Sequence, residues 1–353
     1  MHLILLAALA LQIGPVAATA PNRQPQMTAA GGRVFLVFGS GHSIWISRSN
    51  DDGRRFSIPS KIAELPFLAL GRHRGPRIVV SGKTIVVSAV GGSTAAAGPH
   101  GHGLPSDGNL LVWRSTDGGR SWSQPATVND VPGAAREGLH AMAVDSEGTI
   151  AAAWLDLRSQ GTKLFGALSR DAGKTWSRNV LLYESPDGTI CQCCDPSIVS
   201  RGAQQFAVMF RNALNGDRDL YLLNWDRGAV SAPRKLGGDS WKLNACPMDG
   251  GGIATVDGGL ITAWRRNDTV FTAAPGKPET AIGKGKDVAL ASGSKGVFIA
   301  WTNPAGIEIH TPEGMNPLRL SKGGGFPALA RLSNGDVIAA WEEDGSIFTQ
   351  VLR

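Results

Sequence analysis

All four cysteines of the chain fall in two short segments, Cys191-Gln192-Cys193-Cys194-Asp195-Pro196 and Ala245-Cys246-Pro247-Met248-Asp249-Gly250. Thiolates and a thioether at this density are ligands for a soft ion. Cys191, Cys193, Cys194, Cys246 and Met248 favour copper, with zinc second, and His140, His100 and His102, together with His73 and His42, are the imidazoles at hand to complete a shell. In an exported protein the same cysteines could instead close two disulfides, with three possible connectivities. A bridge from Cys246 to one member of the 191–194 cluster is then easier than one between the adjacent Cys193 and Cys194. A redox-active dithiol is a further alternative.

A second set of residues could grip or cleave an anionic sugar. Arg77, Arg158, Arg211 and Arg265 offer planar guanidiniums for bidentate bonds to a carboxylate, and Asp156, Glu137, Asp195 and Asp249 are the carboxylates available for acid/base work. Glycosidase chemistry needs two carboxyls at about 5 Å or about 6.5 to 9.5 Å, a distance that only the fold can set. Asp156 could equally pair with the neighbouring Arg158.

The elements that must position these groups repeat along the chain. GRVFLVF from Gly32, GKTIVVSAV from Gly82, GTIAAAWLD from Gly148, QQFAVMFRN from Gln204, GGLITAWRR from Gly258, KGVFIAWTN from Lys295 and GDVIAAWEE from Gly335 are seven copies of one pattern. Short continuous apolar runs bounded by Gly, Asp and Asn read as strands buried on both faces. Trp154, Trp264, Trp301 and Trp341 end such runs, and packing is their expected role.

A second motif follows in phase. Ser49 to Phe56, Ser115 to Trp122 and Ser169 to Trp176 fit Ser-x-Asp-x-Gly-x-x-aromatic, and Asn224 to Gly228 is a decayed copy. In such a turn the carboxylates of Asp51, Asp117 and Asp171 accept bonds from turn amides, a glycine supplies positive φ, and the aromatic packs back under the sheet. Units of about 48 residues with two independent motifs in register indicate an all-β β-propeller of four-stranded antiparallel blades, seven by repeat count with six the alternative.

With these Asp boxes the chain resembles the sialidase and BNR-repeat superfamily of propellers over nearly all of residues 21–353. The resemblance implies six blades, Asp boxes on the face away from the ligand site, and a retaining glycosidase that uses a Tyr-Glu nucleophile, an Asp acid/base and three arginines. This chain departs from that pattern. Its two tyrosines are Tyr183 and Tyr221, with none later, and Pro76-Arg77-Ile78 is a loose echo of the superfamily's FRIP-type signature. A glycoside hydrolase and a non-catalytic scaffold with structural disulfides both stay open beside a ligand- or metal-binding protein.

Propeller topology also sorts the polar residues. Loops entering the first strand of each blade and loops after the second strand share one face, and they carry the cysteines, most of the histidines and the candidate arginines and carboxylates. A net charge of +6 comes from Lys and Arg scattered among acidic residues, which points to an anionic ligand and gives no basic patch for nucleic acid or a membrane; the expected partner is a small-molecule, glycan or metal ligand. Residues 3–13 are almost wholly apolar and small residues follow, so 1–20 reads as a signal peptide cleaved after Ala18 or Ala20. The expectation is an exported protein with no membrane span after cleavage and a single propeller domain over 21–353; it names no partner protein.

Overall fold

The computed structural model describes residues 10–96, 103–314 and 316–353. Each repeated apolar run is the second strand of a four-stranded antiparallel blade, and seven blades form the propeller; the sheets of blades 2 and 4 each include a fifth strand of two residues. The first strands of the blades are Asn22–Ala30, Arg77–Ser81, His140–Val144, Ser197–Gly202, Gly251–Val256, Lys286–Gly293 and Gly325–Arg331. Blade 3 shows the pattern. His140–Val144 pairs with Ile150–Asp156, then Lys163–Ser169, then Val180–Tyr183, with His140 opposite Trp154 and Trp154 opposite Phe165.

The second strands read as unbroken apolar runs because both of their faces are covered. Every residue of Ile150–Asp156 is buried. The core is therefore a ring of seven layers between neighbouring blades. Val37 and Ile46 of blade 1 meet Ile85 and Val87 of blade 2, and the same meeting recurs round to blade 7, whose Ile338 packs with Val34 of blade 1. Trp154, Trp264, Trp301 and Trp341 lie in these layers, each at most 2% exposed.

The Asp boxes join third to fourth strands in blades 1, 2 and 3. In the third, Ser169 Oγ donates to Asp171 and accepts from the Gly173 amide, while Thr175 donates to Asp171 through both its amide and its hydroxyl. Phe56, Trp122 and Trp176 fold back onto the interblade layers. The hydrogen bonds of Arg55 and Ser49 hold the Asp51 carboxyl down at about 2.

The last blade lacks a fourth strand of its own at the C-terminus. Leu11–Ile13 supplies it, pairing antiparallel with Ser346–Leu352 so that Leu11 faces Thr349 and Ile13 faces Ile347. Asn22 donates to the carbonyls of Ile13 and Gly14 and accepts from the Val16 amide. Ordered structure thus reaches into the stretch that resembles a leader, and cleavage after Ala18 or Ala20 would remove this strand. No helix among the described residues is long and apolar enough to cross a membrane.

Candidate functional site

The loops entering the first strands converge on the axis at the face opposite the Asp boxes, where residues of all seven blades line a cavity of about 1020 Å³. Phe326 also lines a narrower axial channel of about 200 Å³ with Gln24, His73, Arg77, Asp195 and Asp287. The first strands of blades 1, 6 and 7 each carry a bulge at this end. A bulge turns a side chain out of the sheet's alternation, here toward the axis. The bulged residues Gln24, Asp287 and Phe326 have φ of 55°, 55° and 51°, and Arg72, His73 and Met248 at the same mouth have 52°, 67° and 60°. Left-handed backbone at six non-glycine positions costs on the order of 1–3 kcal/mol each and concentrates at sites of function.

His73 is the centre of the channel wall. Its Nε2 lies 2.9 Å from Asp287 Oδ1 and its Nδ1 3.8 Å from Asp195 Oδ1, and Phe326 stacks edge-on against the ring. Burial disfavours the imidazolium, but the two carboxylates outweigh it and raise the ring to about 9. At neutral pH His73 is a cation. Arg77, in the same channel, donates to the His73 carbonyl at 2.7 Å.

Beside this channel the Cys191, Cys193 and Cys194 side chains are buried and their sulfurs form a triangle with edges of 3.6, 3.1 and 3.9 Å. Met248 packs against the three, and the exposed Cys246 adjoins Cys193. All four cysteines are free thiols, so neither the expected Cys246 bridge nor any other disulfide is formed. A hydrogen bond to Cys193, together with burial, pushes the Cys191 thiol up to about 12, and burial pushes Cys194 well up. A reactive dithiol needs the opposite shift.

What holds Met248 over the sulfurs is an ionic clamp. Asp249 is fully buried between Arg211 Nη2 at 3.4 Å and Arg265 Nε at 3.0 Å, Arg265 also donates to the Pro247 carbonyl, and both guanidiniums lie over Trp241. The two cysteine segments meet where the Gly250 amide donates to Asp195 Oδ1 at 2.9 Å, and a Cβ at Gly250 would collide with the Asp195 carbonyl.

The expected residues therefore separate. Of the arginines, only Arg77 faces the axial space; Arg211 and Arg265 are the clamp. Arg158 grips Asp156 and Asp130 and covers the Phe165 ring, away from both cavities. Of the carboxylates, Glu137 lines the cavity, pushed up by burial and held by Arg74; Asp195 lines the channel, and Asp156 and Asp249 are buried in ion pairs. His140 is buried against Ser88, with burial driving its ring well down, and does not reach the sulfurs. His100 and His102 lie outside the described residues.

The charge of the cavity rests on residues not singled out above: Arg23, Arg72, Arg74, Arg136 and Lys286, with Glu137 the one carboxylate among its lining residues. Each lies within or just before a first strand. That proximity was the available signal, and only the fold distinguishes such residues from the many other scattered cations.

No protein family and no curated protein matches the chain by sequence. Solved structures do match in fold. A leech intramolecular trans-sialidase complexed with 2,7-anhydro-Neu5Ac superposes with a TM-score of 0.59 at 12% identity, over 98% of this chain and 70% of that one. A Penicillium chrysogenum alpha-L-arabinanase complexed with arabinobiose gives 0.56 at 13%, over 97% of each. A polysaccharide lyase, an ulvan lyase bound to -[GlcA(1-4)Rha3S]-, gives 0.56 at 10%, over 97% and 96%. At these identities the likeness is one of fold, that of the sialidase-like propellers.

Proposed function

We propose that this propeller is an exported binding protein for an acidic saccharide, held by its charge in the axial cavity. The observation that carries this is the imbalance of the lining, five cationic side chains against Glu137, in a space of about 1020 Å³. Arg72 is exposed with only a long contact to Met248 Sδ at 3.9 Å, and the Lys286 and Arg23 side chains keep about half their surface open beside long ion pairs to Asp287 at 4.0 Å and Glu342 at 3.7 Å, so each retains donors for a carboxylate or sulfate. Among the described lining residues Phe326 is the one aromatic side chain and charged groups predominate, which favours ionic recognition. The fold is shared with proteins solved with sugars bound, one of them with an acidic, sulfated repeat. The apolar run at 3–13 supports export.

Cleavage is not part of the proposal. Glu137 is the one carboxylate of the described cavity lining and is held by Arg74, Asp195 and Asp287 in the channel are engaged by His73, and Tyr183 and Tyr221 pack in the outer strands of blades 3 and 4.

Titration with uronate-containing and sulfated oligosaccharides against a neutral arabino-oligosaccharide tests the proposal. Acidic ligands should bind, weakening as salt rises, and the double change Arg72→Ala and Lys286→Ala should lower affinity by about tenfold or more, as the loss of two charge-assisted contacts implies. Equal binding of neutral and acidic sugars would overturn it.

A further inference from the structure

We propose that Cys191, Cys193 and Cys194 form a binding site for one copper(I) ion, roofed by Met248 and reached from the cavity past Cys246. The site is independent of the saccharide reading.

Three sulfurs around one ion with metal–sulfur bonds of about 2.3 Å stand about 3.8 to 4.0 Å apart. Two edges of the triangle are already 3.6 and 3.9 Å, and the 3.1 Å edge between Cys191 and Cys194 must open by less than about 1 Å. The close Cys-x-Cys-Cys spacing makes that a matter of side-chain rotation.

The ligand set selects the ion. Among the described residues no imidazole or carboxylate joins the three sulfurs, and Cys246 stands outside the group. His73 is taken by Asp287, and His140 by Ser88. Structural zinc wants four nitrogen, sulfur or oxygen ligands in a tetrahedron, whereas three thiolates with a thioether overhead suit a soft monovalent ion.

Charge agrees in sign. Three thiolates and one monovalent cation carry two net negative charges, and the charged groups acting on the sulfurs are cations: Arg211, shared with Asp249, acts on Cys191 and Cys194, and Arg74, shared with Glu137, acts on Cys193. Rigidity is supplied by the clamp on Asp249, which fixes Met248 in its left-handed backbone above the cluster, and by the Gly250 to Asp195 bond that ties the two segments together.

Cys193, Cys246 and Met248 line the cavity, while Cys191 and Cys194 lie behind them. An ion arriving on a soft donor is exchanged first to Cys246 and Met248, then to the buried trio. Each thiol releases its proton to solvent as its copper–sulfur bond forms and the bond to the previous ligand breaks, and copper stays in the same oxidation state throughout.

The full-length protein, reduced and loaded anaerobically with copper(I), should retain one copper per chain against a competing chromophoric chelator, and X-ray absorption should find a shell of sulfur alone. Removing a direct ligand costs at least what outer partners cost, so Cys194→Ser should weaken retention by about 100-fold or more. Cys246→Ser should keep the stoichiometry and slow uptake. Should Cys194→Ser not fold, Met248→Leu keeps the apolar volume and should weaken copper(I) by about tenfold. Lys286→Ala, which touches none of the four sulfur residues, should leave copper bound. Copper lost to the chelator by the parent protein, zinc retained in preference, or undiminished binding in Cys194→Ser would overturn the proposal.

Discussion

His73 carries a charge that a free histidine would have lost by neutral pH, because Asp195 and Asp287 bracket it. Its folded-state value of about 9 exceeds the ordinary 6.5, so the stabilisation it provides is complete below about pH 6.5 and is lost as pH rises through about 9. The thermal midpoint should fall between pH 7 and pH 9.5, by an amount worth about 3 kcal/mol at most. His73→Gln should flatten that dependence and lower stability at pH 6, since it leaves two carboxylates facing one another; an unchanged profile would remove His73 from this role. The contrast with His140 is instructive. Two histidines four residues or fewer from a first strand end in opposite charge states, because His73 meets carboxylates and His140 meets a serine hydroxyl. Residue type alone listed both as metal ligands, and their neighbours make neither one free to bind.

At the scale of the element, each Asp box is a turn whose bonds close on themselves, at the far end of the blade from the cavity. Ser169→Ala deprives the Gly173 amide of its buried acceptor, which should cost about 1–2 kcal/mol of stability. Saccharide and copper binding should stay unchanged, and a loss of either on this substitution would mean the two faces communicate. The boxes and the seven second strands were legible because each imposes its own residue pattern: a Ser-x-Asp-x-Gly turn, and a strand buried on both faces. The site was less so. Bulges at Gln24, Asp287 and Phe326 have no composition of their own, since they arise where first strands crowd the axis. Arg211 and Arg265 had the right type and the right face for a ligand. Asp249, in the next loop, claims both of them, and that pairing depends on how two blades pack. The cysteine trio could be read as a cluster from spacing, though its state as thiols could not.

The whole molecule is a ring held shut by its two ends. Removing residues 1–20 would strip the outer strand from blade 7, expose Ile13's neighbours, whose burial with it is worth about 1.5–3 kcal/mol, and leave Ser346–Leu352 as an open edge prone to pairing with other chains. A chain beginning at residue 21 should melt several degrees lower and aggregate more readily than one that retains residues 10–20, and N-terminal sequencing of the protein purified from its native cells tells whether Leu11–Ile13 is kept as the strand or removed as part of a leader. Equal stability of the two chains would show that a three-stranded blade suffices. The stretch fits two readings because a leader and a buried strand make the same demand, a short unbroken run of apolar residues.

That closure also sets an order of events during synthesis. Gln12 donates to Ser346, 334 residues later, so the first strand made waits, unpaired, until the last one emerges. Contacts between ends so far apart form late and slowly. A chain threaded through a membrane pore in extended form would stay unlocked until its tail had passed, and the ring would snap shut on the side where the tail arrives.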